Sequence, residues 1–143
     1  MNNPSRRLQL FSGSAGSNAS RMITVAATDG GYEFVVAQPN GTVQGSNIFS
    51  SQSFGYYLTT PQFPGRDFFS DTTLNSDGAD HLYGYQGNNG MFLNNNYVPA
   101  SLRGLTFDAG MYLLAWEDLY GGGDRDYQDM VVLTQNISAV PLP

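Results

Sequence analysis

The sequence predicts an all-β fold, an antiparallel β-sandwich of jelly-roll type, on three observations. Short apolar runs recur between turn signals, at the spacing of roughly 8–12 residues that sandwiches use. No stretch of useful length carries a helical period. Charged residues make up only 13% of the chain, while Gly numbers 17 and Tyr and Phe nine each, a composition suited to strands and tight turns. A barrel shares this pattern.

The elements follow in order. Residues 1–7 read as a flexible lead, 8–138 as a single domain and 139–143 as a proline-bearing tail. Leu8, Leu10 and Phe11 suggest a first short strand, and 12–20 (SGSAGSNAS) a loop. Residues 22–27 (MITVAA) and 32–38 (YEFVVAQ) flank Asp29-Gly30-Gly31, a hairpin signal. Pro39-Asn40-Gly41 turns the chain into a short strand at 42–44. Further strands are expected at 54–60 (FGYYLTT), 66–70 (RDFFS), 81–86 (HLYGYQ), 102–107, 111–116 and 130–134, with a polar loop at 71–80.

The net charge is −6, all six basic residues are Arg, and they form no patch. That excludes the electrostatic footprint of a nucleic-acid binder and disfavours anionic membrane surfaces. No apolar run approaches the roughly 20 residues of a spanning helix, so direct membrane insertion is not expected. With no Cys, disulfides and thiolate metal sites are absent. No apolar signal-peptide core follows Arg6-Arg7.

Five of the twelve acidic residues fall in one turn, LLAWEDLYGGGDRDYQDMVVL: Glu117, Asp118, Asp124, Asp126 and Asp129. Like charges so close require solvent or a cation. Carboxylates are hard oxygen ligands, and Gly121, Gly122 and Gly123 allow a sharp bend, so a calcium site is expected. Asp124 and Asp126 share a face if extended; Glu117 and Asp118 oppose each other, which leaves one of them as the ligand. An EF-hand is excluded, because Asp129 and Gln135 occupy the positions of its Gly and Glu. The alternative is that the acids cap turns and pair with Arg125 or Arg103. A second loop, with Asn75, Asp77, Asp80 and His81, either forms its own oxygen site, completes the first, or makes a self-bonded turn. His81, the lone His, excludes a triad or multi-His zinc site and reads as a hydrogen-bonding residue beside the loop. No acid has an evident apolar pocket, so an enzyme is not expected.

The run WEDLYGGGDRDYQDMVV resembles the signature of the bacterial domain-of-unknown-function family forty-one fourteen. Trp116 to Leu119, Gly121 to Gly123, Asp124 to Tyr127, Asp129 and Met130 to Val132 carry the resemblance, with FGYYL and FFSDTTLNSDGADHLYGYQG upstream. Residues 140–143 (VPLP) resemble the start of a VPLPA-type PEP-CTERM sorting signal, whose apolar helix would follow. The resemblance implies an exported, calcium-stabilised β-sandwich at the surface or in the extracellular matrix of a Gram-negative bacterium. Expected partners are a surface glycan, a peptide or further copies of the chain. The leading function is a calcium-binding adhesion or biofilm module. A calcium-dependent carbohydrate- or peptide-binding domain and a self-assembling filament subunit are the alternatives.

Overall fold

The computed structural model describes residues 6–12, 19–94 and 100–140, which fall into two compact units, Met1–Phe54 and Gly55–Pro143. Among the described residues there is no α-helix. Eight strands form three antiparallel sheets, in agreement with the expected all-β antiparallel class.

The first unit is a meander of β1 (Met22–Thr28), β2 (Gly31–Ala37) and β3 (Val43–Phe49). Asp29-Gly30 closes the first hairpin with Thr28 opposite Gly31. Gly31 has φ 133°, and a Cβ there would lie 2.2 Å from the Phe49 carbonyl oxygen, so only glycine fits. Phe34 and Val36 of the central strand are buried. The Phe34 ring meets Phe49 and Phe54 edge-on at 4.9 and 5.6 Å.

Two expectations change here. The strand foreseen at 42–44 extends to Phe49, because its half-buried positions are Gly45, Asn47 and Phe49, which do not read as an apolar stripe. The strand foreseen at Leu8, Leu10 and Phe11 does not form. Instead the carbonyls of Arg7, Gln9 and Leu10 accept bonds from the Asn47 and Gln44 side chains, and Leu8 lies against Gly45. Side-chain amides replace a backbone ladder. Of the lead, Arg6 is tied by its guanidinium to the Ile48 carbonyl; residues 1–5 lie outside the described residues.

The second unit opens with the hairpin β4 (Tyr57–Thr59) and β5 (Asp67–Phe69). The 3₁₀ turn Thr72–Leu74 follows, capped by the Asp71 side chain. A three-stranded sheet then runs β6 (Leu82–Gln86), β7 (Met111–Trp116), β8 (Met130–Gln135), with β7 central. Central placement explains why Met111, Leu114, Ala115 and Trp116 are all buried. Leu93, Phe107 and Met111 form a core packed by Leu102, Leu113 and Leu133.

The strand expected at 102–107 is not one. Ala100–Leu102 is a 3₁₀ turn and a single bridge pairs Phe92 with Thr106. Gly104, at φ 79°, bends the segment so that its N–H reaches the Leu93 carbonyl. The apolar residues of that run serve as loop anchors.

Candidate metal centre

The sheet aims both ends of the acidic turn at one point. Trp116 pairs with Met130, and the Asp129 N–H donates to the Trp116 carbonyl at 3.2 Å. On the other side the Glu117 N–H donates to the His81 carbonyl at 3.0 Å. Between these anchors the chain curls through five left-handed residues: Gly121, Gly122, Gly123, Arg125 and Tyr127. For Arg125 and Tyr127 the conformation costs roughly 1–2 kcal/mol each. Asp124 and Asp126 therefore converge through a turn rather than through strand alternation. Their side chains also accept from the N–H groups two residues on, Asp126 and Gln128.

Glu117 is the centre. Its side chain has no solvent-accessible surface. One carboxylate oxygen accepts from Leu119 N–H at 3.3 Å and the other from Arg125 N–H at 3.0 Å. The cover is thin and made of loop backbone: a Cβ on Gly123 would lie 2.3 Å from Oε1. Ligand atoms of Glu117, Asp118 and Asp129 lie within 4.8 Å of one another, and so do those of Glu117, Asp124 and Asp126. Both acidic groups could hold a metal ion, and they share the buried glutamate. Glu117 and Asp118 thus both reach the first group, although neighbours on an extended strand would diverge. Asp118 also donates its N–H to the Asp129 carboxylate at 2.9 Å.

Loss of solvent pushes the Glu117 carboxyl up; the Leu119 and Arg125 N–H groups oppose this, and the charges of Asp129 and Asp124 add to it. Asp118 is raised by burial and then by Asp129 beside it. Among the described residues no Arg forms an ion pair with any of the five acids; Arg125 contributes its backbone N–H. The two acidic groups could hold a metal ion, and an all-carboxylate donor set fits a hard one.

These shifts set a pH dependence. A carboxyl whose pKa is raised on folding binds protons more readily in the native state, so its contribution falls as pH rises. Without metal, melting in EDTA is expected to occur at lower temperature as pH rises from the ordinary carboxylate range, about 4, toward neutrality. Glu117→Gln should flatten that slope. An unchanged slope in the variant would remove Glu117 as its source.

The second loop folds onto the first. His81 is fully buried, its ring stacked on Phe68 with centroids 4.0 Å apart. Its Nδ1 lies 2.8 Å from the Glu117 carbonyl oxygen and its Nε2 2.9 Å from Asp77 Oδ2. That same Asp77 oxygen accepts from Gly121 N–H at 2.8 Å, and Oδ1 from Ala79 N–H. Burial raises the Asp77 pKa, but the Gly121 and Ala79 bonds together with His81 outweigh it and hold the carboxyl below its usual range. Asn75 is spent on the backbone: it accepts from Phe69 N–H and donates to the Phe69 and Ala79 carbonyls. Asp80 accepts from the Thr72 hydroxyl. Neither Asp77 nor Asp80 joins either acidic group; through Asp77 and His81 the loop forms a wall against the turn at Gly121 and Glu117.

Beside that wall is an open cleft of about 400 Å³, lined by Gly78, Ala79, Asp80, Tyr83, Gly122, Arg125 and Tyr127. The Tyr83 and Tyr127 rings meet edge-on at 5.0 Å, and the Tyr127 hydroxyl donates to the Asp80 carbonyl. Sequence order hides this cleft, since one wall is residues 78–83 and the other residues 122–127.

No curated protein and no solved structure is matched by this chain. A family model, described as a domain of unknown function (DUF4114), matches residues 28–135. That span takes in both units from the end of β1 through β8, the acidic turn included, and the chain belongs to this family.

Proposed function

We propose that the chain is an exported calcium-binding module of a cell surface or extracellular matrix, in which calcium stabilises the acidic turn. One observation carries the reading: a solvent-free glutamate is shared by two carboxylate groups and has no cationic side chain against it. Glu117 with Asp118 and Asp129, and Glu117 with Asp124 and Asp126, would hold the ions. Calcium would supply charge neutralisation and a cross-link between the ends of the turn. Its preference for six to eight oxygens leaves room for backbone carbonyls and water, and it tolerates irregular geometry better than magnesium does. Extracellular modules work at calcium affinities of roughly 10⁻⁴–10⁻³ M, which suits a role in adhesion or biofilm. The VPLP tail suggests export; of it, only Val140 is described. No helix among the described residues is long and apolar enough to cross a membrane.

Calorimetric titration followed by thermal melting tests this. Calcium at 100–1,000 times its Kd is expected to stabilise the fold by about 3–4 kcal/mol, and EDTA to reverse the gain. No heat of binding, with melting indifferent to EDTA, would sink the calcium reading.

The cleft favours a second reading, calcium-dependent binding of a surface glycan or peptide. Tyr83, Tyr127, Arg125 and Asp80 border the acidic turn and offer ring faces and polar groups together. A glycan and peptide array probed with and without calcium separates the two readings. Binding that vanishes in EDTA and in Tyr83→Ala favours the second.

A further inference from the structure

The geometry points to β1 as a self-pairing edge that joins two copies of this chain, antiparallel about a two-fold axis at Val25. All seven residues of β1 are exposed, and among the described residues only β2 pairs with it. The opposite edge of the same sheet differs: the chain's own segment around Leu8 and Gln9 lies against β3. β1 also lacks the usual protections of an edge. It holds no Pro, no charge and no bulge; the register shift of this sheet lies on the β2–β3 side.

Hydrogen-bond alternation selects the register. The two-residue loop makes Thr28 and Gly31 a bonded pair, so Ala26, Thr24 and Met22 also bond to β2. Ile23, Val25 and Ala27 are left with N–H and C=O directed outward. Pairing Val25 with Val25 of a second copy, and Ile23 with Ala27, satisfies every one of these groups.

Side chains favour the same register. Ile23 and Val25 lie opposite Val36 and Phe34, on the buried face of the sheet, yet are 40% and 42% exposed. They form the uncovered rim of that apolar face. A second copy sets its own Val25 and Ile23 beside them and completes the cover. Charge agrees: β1 carries no charge, and the guanidinium of the preceding Arg21 is turned inward onto Gln44 and Phe11. For a chain of net charge −6, an uncharged strand is where two copies meet without repulsion. This inference is independent of the calcium reading, and β1 lies almost wholly outside the family-matched residues 28–135.

The test is sedimentation of the full chain in EDTA over rising concentration, with two kinds of variant. The wild-type chain is expected to dimerise. Val25→Lys, which sets two like charges directly opposite, should weaken dimerisation about tenfold or more. The chain has no Cys, so single cysteines report position cleanly. Oxidised Val25→Cys should cross-link as a dimer, because directly paired strand residues lie about 5.5 Å apart, within disulfide reach. Val43→Cys, on β3 and 61% exposed, should not. A wild-type chain that stays monomeric up to about 1 mM, at the weak limit of specific association, overturns the proposal. So does a dimer that Val25→Lys leaves intact, or one that cross-links at Val43 in preference to Val25.

Discussion

Glu117→Gln is expected to erase the calcium response while leaving the metal-free protein within about 1 kcal/mol of wild type. The two halves of that result have different causes. Without metal, the glutamate is a buried carboxylate held by the Leu119 and Arg125 N–H groups against the charges of Asp124 and Asp129. Glutamine fills the same space and removes the charge, but turns an NH₂ toward one of those donors; the lost bond and the relieved repulsion nearly offset each other. With calcium, both acidic groups lose their common member, so the stabilisation of about 3–4 kcal/mol at saturation disappears. Paired melting curves in calcium and in EDTA give both numbers. A variant that keeps the full calcium shift would show that the ion sits elsewhere.

His81→Ala should destabilise the second unit by about 3–4 kcal/mol in urea unfolding. The substitution empties a solvent-free volume against Phe68, which by itself costs about 2–4 kcal/mol. It also strips the Glu117 carbonyl and Asp77 of a partner. Asp77 has 4% of its side-chain surface exposed, so its carboxylate is poorly placed to recruit water instead. A midpoint change equivalent to less than about 1 kcal/mol would mean that His81 merely fills space.

Local pattern carried much of this structure, and long-range geometry carried the rest. β1, β2, β7 and β8 are legible because apolar, β-branched runs end in Gly-rich turns, and the sheet centre is written as MYLLAW. β3 is legible only at its start because Gly45 and Asn47 occupy inward places further along. The run at 102–107 looked like a strand because its apolar residues are real anchors; only the left-handed Gly104 reveals the bend. At the site, the density of acids and the three glycines identified the turn. They did not single out Glu117, whose burial depends on Gly123 folding back over it. Nor did they show that Asp77 and His81 tie a loop forty residues upstream to Gly121 and Glu117. That tie consists of side chains meeting backbone across the fold, and spacing along the chain does not encode it.

The shared position of Glu117 has a consequence for stoichiometry. Two acidic groups with one member in common would not be independent sites, so their occupancies would be linked. A first ion would meet the cost of ordering Glu117, which would lighten the task of a second. It would also place a double positive charge next door, which would work against the second. Which of these opposing effects prevails determines the shape of the binding isotherm: a steep sigmoid if preparation dominates, two separated steps if repulsion does. Hence the curvature of a calcium titration, more than its midpoint, reports whether one carboxylate serves two masters.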